Sequence, residues 1–138
     1  VDLTSKIIKK YAKKSIPQLR AICKKVCHEY IRKRDDGKPC VCCPGRYVKL
    51  EAGHFYAAGS FPNLEFDEVN IHGQAKNCNY FNHGNTNEYR KHIIERIGDS
   101  GLKYLDWKAS EYKRNGWKWD RFYLIEKIEY YKIKLALL

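Results

Sequence analysis

Apolar residues recur at Leu19, Ile22/Cys23, Val26/Cys27 and Tyr30/Ile31. That three-to-four-residue spacing predicts a helix with one packed stripe. Ser15-Ile16-Pro17 supplies its start, a serine N-cap with proline in the first turn. Asp35-Asp36-Gly37 stops it. A shorter helix is expected ahead of it, over residues 4–14. Between residues 38 and 72 the helical period is lost. Pro39, Pro44, Gly45, Gly53, Gly59 and Pro62 punctuate the chain, and the β-prone pieces are residues 47–50 and 69–72. This segment predicts a cysteine-bearing knuckle, a short strand, a loop and a second strand. Helical spacing returns at Tyr89, Ile93, Ile94 and Ile97, behind Asn85-Thr86-Asn87-Glu88, which has the form of a capping box. Gly98 ends that helix. Another short helix is expected over residues 101–111, and Asp120 can cap a last one carrying Tyr123, Leu124, Ile128, Tyr131 and Leu135. The predicted class is α+β: a small ββα knuckle flanked by N- and C-terminal helices. The expected organisation is one domain, with a basic helical arm (1–36), a core (37–98) and a C-terminal helical part (99–138).

The 138 residues suffice for one domain with a modest core, and 43% hydrophobic residues argue against disorder. No apolar run approaches the ~20 residues of a membrane span. The first residues have no leader-like apolar stretch. Charge changes the picture more. The net charge is +11, of which residues 1–50 carry +10 and residues 51–138 only +1. The polar face of the main N-terminal helix holds Arg20, Lys24, Lys25, Arg32 and Arg34. One side can pack while the other tracks phosphates, so DNA is the expected partner. A face kept basic for solubility is the plainer alternative. Six cysteines stand at 23, 27, 40, 42, 43 and 78, three of them within Cys40-Val41-Cys42-Cys43. That crowding suits metal ligation in a reducing, cytoplasmic compartment better than a secreted disulfide framework. Cys23 and Cys27, four apart on the apolar stripe, are expected core thiols.

Candidate chemistry lies in the knuckle. Cys40-x-x-Cys43 is followed, 35 residues on, by Ala75-x-x-Cys78-Asn79. Two Cys-x-x-Cys pairs hold one tetrahedral Zn²⁺, and here one of the four places is alanine. A structural zinc would use Cys40, Cys43 and Cys78. Its fourth partner could be Cys42 or His72, or water; otherwise the knuckle holds by packing alone. Between the pairs stand His54 and Asn70, and Asn79 follows the second, which is an HNH arrangement. Phosphodiester hydrolysis needs a base to activate water and a divalent ion to carry developing charge. His54 is the base candidate. Glu51 and Asn79 offer oxygen ligands suited to Mg²⁺ or Mn²⁺. Asn70, grouped with His54 as catalytic, is read as positioning the knuckle. Asp67 is a reserve metal ligand. His83 reads as an exposed turn residue first and a metal or phosphate contact second. His28 and His92 are expected at the surface, and Trp107, Tyr112, Trp117 and Trp119 in packing.

Several spaced segments together carry a family resemblance. Lys38-Pro-Cys-Val-Cys-Cys43, Glu51-Ala-Gly-His-Phe55, Leu64-Glu-Phe-Asp-Glu-Val-Asn-Ile-His72, Gln74, Cys78-Asn79, Gly84-Asn85 and Tyr89-Arg90 resemble the NinG/Rap family of phage recombination endonucleases. The likeness runs from Tyr30 through the C-terminal helix. It implies cleavage of branched DNA such as Holliday junctions and D-loops, by a phage or prophage protein in the bacterial cytoplasm. The arrangement also looks like that of phage resolvase endonucleases, which implies Glu51 and Asn79 on the catalytic metal and His54 as base. The family acid is typically Asp, so Glu51 is a longer variant. Ala75 stands where the family has Cys. The two-fold symmetry of a four-way junction implies a homodimer. The rival reading is a non-catalytic, zinc-knuckle-type DNA-binding module.

Overall fold

In the computed structural model, which describes residues 1–81 and 85–138, local capping chemistry sets where the helices begin. His83 lies outside the described residues. Thr4 caps α1 (Ser5–Lys10). This helix is shorter than the expected 4–14, because Tyr11 turns into the core, where its hydroxyl donates to Glu129 at 3.1 Å. Ser15 starts α2 (Ile16–Arg34) with a reciprocal cap: its hydroxyl accepts from the Gln18 N–H and its own N–H donates to Gln18 Oε1 at 2.8 Å. Leu19, Cys23, Val26, Cys27, Tyr30 and Ile31 are the buried stripe of α2, as the spacing predicts. It packs on Leu124, Ile125, Ile128 and Tyr131 of α4 (Arg121–Ala136). Asp120 caps α4 by accepting from the Phe122 N–H at 2.7 Å. Full burial of each such aliphatic side chain stabilises by roughly 1.5–3 kcal/mol.

Among the described residues the strands are β1 (Leu50–His54) and β2 (Ile71–Ala75), antiparallel, with Leu50 opposite Ala75 and His54 opposite Ile71. Both lie later than the expected 47–50 and 69–72. Tyr47 and Val48 have β propensity but stay exposed, and Val69 belongs to a 3₁₀ turn (Glu68–Asn70). Propensity lost to tertiary contact here. Gly53 is required by close approach. A Cβ there would fall 2.0 Å from Gln74 Oε1 across the ladder. Gly73 similarly sits against Leu50 and Asp35. The hairpin lies between two cores. Ala52 and Ile71 join the α2–α4 core, while Leu50 and Ala75 join a second one with Phe55, Leu64, Tyr89, Ile93, Leu105 and Ala109.

A buried carboxylate locks these parts together. Asp35 accepts from Arg34 Nε at 2.8 Å, Arg34 Nη2 at 3.0 Å, the Gly73 N–H at 2.7 Å and Arg96 Nη1 at 3.1 Å. Burial pushes its carboxyl up, but Arg34, the Gly73 N–H and Arg96 outweigh this and hold it at about 2. The end of α2 is thereby tied to β2 and to α3 (Thr86–Asn115). Arg34 also donates to the Glu68 and Ile71 carbonyls. This corrects its assignment to the DNA-facing set: the side chain points into the fold and is consumed there.

Gly98 breaks α3, as its position predicts. Its φ of 71° and ψ of 175° lie in a region open essentially to glycine alone. The two halves fold toward each other, so that Arg90 Nη2 and Asp106 Oδ1 meet at 2.7 Å. The expected capping box at Asn85–Glu88 does not form. Asn85 has φ of 51° and makes no side-chain cap; its amide instead approaches the Cys78 sulfur at 3.9 Å. Trp117 and Trp119 pack edge to face at 5.6 Å, whereas Trp107 is exposed rather than packed.

Candidate active site and thiol cluster

Three elements converge on one cleft of about 620 Å³. Its lining includes Lys24, His28 and Arg32 from α2, Glu51 and His54 from β1, and Asn79 from the helical turn after β2. A second concavity of about 490 Å³, lined by Phe55, Tyr56, Phe61 and Thr86, shares His54 and Asn79 with the first. The two form a groove with a basic side and an aromatic side. Its polar centre is the segment singled out in the sequence: Asn79 Nδ2 lies 3.4 Å from Glu51 Oε2. A half-turn of the amide presents Oδ1 instead, giving an oxygen-only donor pair.

His54 is oriented by a backbone carbonyl. Its Nε2 lies 2.8 Å from the Glu65 carbonyl oxygen. A carbonyl only accepts, so Nε2 carries the proton and Nδ1 is left as a lone-pair acceptor. Burial lowers the His54 pKa, with Lys24 adding to the effect and the Glu65 bond opposing it. The ring is therefore neutral at pH 7 and able to take a proton. His28 is the residue sequence reading missed. It was expected at the surface, yet it is half-buried with its ring centroid 5.6 Å from that of His54. Its Nε2 has no hydrogen-bond partner among the described residues. Burial, then His54, Lys24 and Arg32, push its pKa down to about 4. No motif surrounds it in sequence. Only its place on the α2 face one turn beyond Lys24 signals that it could enter the cleft.

The other named residues sort themselves by contact. Asn70 is fully buried, and its amide is spent on the Tyr56 N–H at 2.9 Å and the Tyr56 and Leu64 carbonyls. It shapes the loop between the strands and does not line the cleft, which corrects its grouping with His54 as catalytic. Asp67 is occupied by the Val69 N–H and the Tyr104 hydroxyl. Lys24 and Arg32 are exposed on the cleft wall, and Lys25 is exposed beyond it. Arg20 is partly committed elsewhere, 3.5 Å from Glu65 and stacked 4.4 Å over Trp119.

Beside the hairpin's other end, the sulfurs of Cys40, Cys42 and Cys78 lie within 4.8 Å of one another, all buried. Cys43 Sγ is 3.7 Å from Cys78 Sγ, and Cys40 Sγ is 3.9 Å from it. Sulfurs at ~2.3 Å from one tetrahedral ion stand about 3.8 Å apart, so the spacing of Cys40, Cys42 and Cys78 suits a metal such as zinc, with Cys43 touching the group through Cys78. The Cys42 thiol and the Ala75 N–H pull the Cys40 thiol below its ordinary range, against burial, which pushes it up. His72 is no part of this group. Its Nε2 meets the Val69 carbonyl at 2.8 Å and its Nδ1 meets Arg34 at 3.2 Å.

Fold and site together define an α+β unit with a buried, metal-competent thiol cluster beside a basic cleft. Residues 2–138 match the family described as Bacteriophage Lambda NinG protein, and the chain belongs to that family. It is 38% identical over 89 residues to the protein ninG of Salmonella phage P22, covering 64% of this chain and 42% of that one. It is 36% identical over 89 residues to the protein ninG of Escherichia phage 933W, covering 64% and 43%. Identity to the protein ninG of Escherichia phage lambda is 35% over 89 residues, covering 64% and 42%. The chain thus spans less than half the length of these curated relatives. No solved structure matches. No helix among the described residues is long and apolar enough to cross a membrane.

Proposed function

We propose that this chain is a metal-dependent DNA endonuclease whose site is the His54 cleft, built as an HNH-like ββα-metal centre. The observation that carries the reading is the Nε2 contact of His54 with the Glu65 carbonyl, beside Glu51 and Asn79. His54 Nδ1 takes a proton from water, and the resulting hydroxide attacks phosphorus in line with the leaving 3′ oxygen, giving a 5′-phosphate end. Glu51 and Asn79 would hold Mg²⁺ or Mn²⁺, since oxygen donors suit those ions. When bound, the ion supplies charge stabilisation for the phosphorane and the leaving oxygen. Lys24 and Arg32 bind the flanking phosphates. Asn70 positions His54 by fixing the loop that bears the Glu65 carbonyl.

The resemblance to phage recombination endonucleases points to branched DNA as the substrate, and to a homodimer that brings one site to each opposed strand of a junction. The thiol cluster holds a structural Zn²⁺ that anchors the knuckle. A zinc-knuckle module that only binds DNA is the competing reading, but it has no use for an imidazole oriented in this way. The decisive assay is cleavage of a synthetic four-way junction in Mg²⁺. His54→Ala should lose about 10²–10⁴-fold in rate while binding the junction as before. Binding by the unaltered protein with no cutting in Mg²⁺ or Mn²⁺ would sink the enzyme reading and leave the binding module.

A further inference from the structure

Zinc on Cys40, Cys43 and Cys78 fills three of four tetrahedral places, because residue 75 of the second pair is alanine. We propose that Cys42 supplies the fourth sulfur, so that Cys40, Cys42, Cys43 and Cys78 close an all-thiolate structural zinc site. This rests on the zinc part of the preceding reading and is independent of the nuclease part.

Three observations carry it. First, the Cys42 sulfur points inward: it is buried and lies within 4.8 Å of both Cys40 Sγ and Cys78 Sγ. Second, it is tied to the strand that carries the deficient position. Its sulfur accepts from Gln74 Nε2 at 3.0 Å, one residue before Ala75, and the Ala75 N–H donates to Cys40 Sγ at 3.2 Å. The alanine backbone is thus in the wall of the cluster, and Cys42 brings to that cluster a sulfur that residue 75 lacks. Third, the surroundings are those of bound thiolates. Cys40 receives the Ala75 N–H, Cys42 the Gln74 amide and Cys78 the Asn85 amide at 3.9 Å, one N–H donor to each of three of the four sulfurs, while Cys42 Sγ also lies 4.0 Å from the Asn85 carbonyl oxygen. N–H groups directed at sulfur are how a protein stabilises metal-bound thiolate charge and orients the ligand.

The alternatives fit less well. Sulfur separations of 3.7–3.9 Å exceed the ~2.05 Å of a disulfide, and a buried apolar thiol would not collect polar donors. His72 is held away by Val69 and Arg34. Cys43 sits outside the mutually close trio, contacting it through Cys78, so metal binding must draw its sulfur inward. That adjustment falls on the half-buried end of the knuckle, beside the exposed Pro44 and Gly45.

The experiment is zinc stoichiometry by native mass spectrometry, with cobalt(II) substitution to count bound thiolates by their charge-transfer absorption. The unaltered protein should carry one zinc and give the absorption of four sulfurs. Cys42→Ser should bind zinc at least about tenfold more weakly and lose about a quarter of the cobalt absorption. Cys42→Ser combined with Ala75→Cys should restore both, because the sulfur returns to the second pair. That double variant keeps the test decisive should Cys42→Ser alone fail to fold. Zinc-free unaltered protein, undiminished binding by Cys42→Ser, or a double variant that fails to recover zinc would each overturn the proposal. None of these readouts involves DNA cleavage, so failure here is separable from failure of the nuclease reading.

Discussion

The two sites carried by one short hairpin are built for opposite conditions. At the Leu50–Ala75 end, sulfurs are buried, neighbours are apolar, and the donors come from residues 40–43 and 74–85. Around Glu51 and His54, the hairpin opens onto a basic cleft whose wall is borrowed from α2, some thirty residues earlier in the chain. A five-residue strand can serve both because its ladder is anchored from outside. Asp35 holds β2 through the Gly73 N–H, and the Tyr89 hydroxyl donates to the Gly53 carbonyl of β1 at 2.7 Å. Isolated two-stranded hairpins are marginal in water, so these anchors set the rigidity of both ends.

The largest effect is expected where the anchor itself is cut. Asp35→Ala leaves Arg34 and Arg96 buried without their carboxylate and should lower unfolding stability by about 3–5 kcal/mol, measured by urea denaturation. Loss confined to one end, with the other still protected in hydrogen exchange, would show that the two ends do not share this support.

Acid should act more gently. Burial lowers His54 and holds His28 and His72 at about 4, while in the unfolded chain all three titrate near 6.5. Between those values the unfolded state binds more protons, so stability is full above pH ~6.5 and falls as the pH drops toward 4. Asp35, held at about 2, keeps its contribution through that window. Urea midpoints at pH 7 and 4.5 should differ accordingly, and His28→Asn should remove part of the difference. A flat profile would mean that these rings are hydrated and the cleft wall is not formed as described.

The smallest effects concern the cleft rim. Lys24→Gln or Arg32→Gln should each reduce the salt dependence of DNA binding by roughly one counterion, leaving the thermal midpoint unchanged. Lys25→Gln, on the same helix but outside the cleft, is the control. An equal loss there would spread DNA contact over the whole helix face and erase the cleft's special standing.

What could be read from sequence divides along the same line. The α2 cap, its buried stripe, the Asp120 cap and the Gly98 break are local events, each settled within a few residues of its signal. The cysteine crowding was equally plain. The strand limits were not, because Tyr47 and Val48 have strand propensity but no partner, while glycine-bearing β1 is held by contacts from α2 and α3. Arg34 looked like one more charge on a basic face, since nothing nearby in sequence announces the Ile71 carbonyl and His72 ring it meets. His28 was overlooked for the mirror-image reason: its cleft neighbour His54 is on β1, out of reach of any local pattern.

The corner at Gly98 has a kinetic consequence. Along a straight helix, the 16 residues between Arg90 and Asp106 would set them ~24 Å apart, yet the pair closes at 2.7 Å. The corner turns α3 into a helical hairpin whose closing contact spans 16 residues, against 119 for the Lys10–Glu129 contact that joins α1 to α4. That ratio is nearly three doublings of loop length, or about 1.8 kcal/mol less closure entropy to overcome. The α3 hairpin can therefore close early, offering Tyr89 and Ile93 as a surface on which the knuckle condenses, while the contacts between the chain's first and last helices wait for the ends to meet.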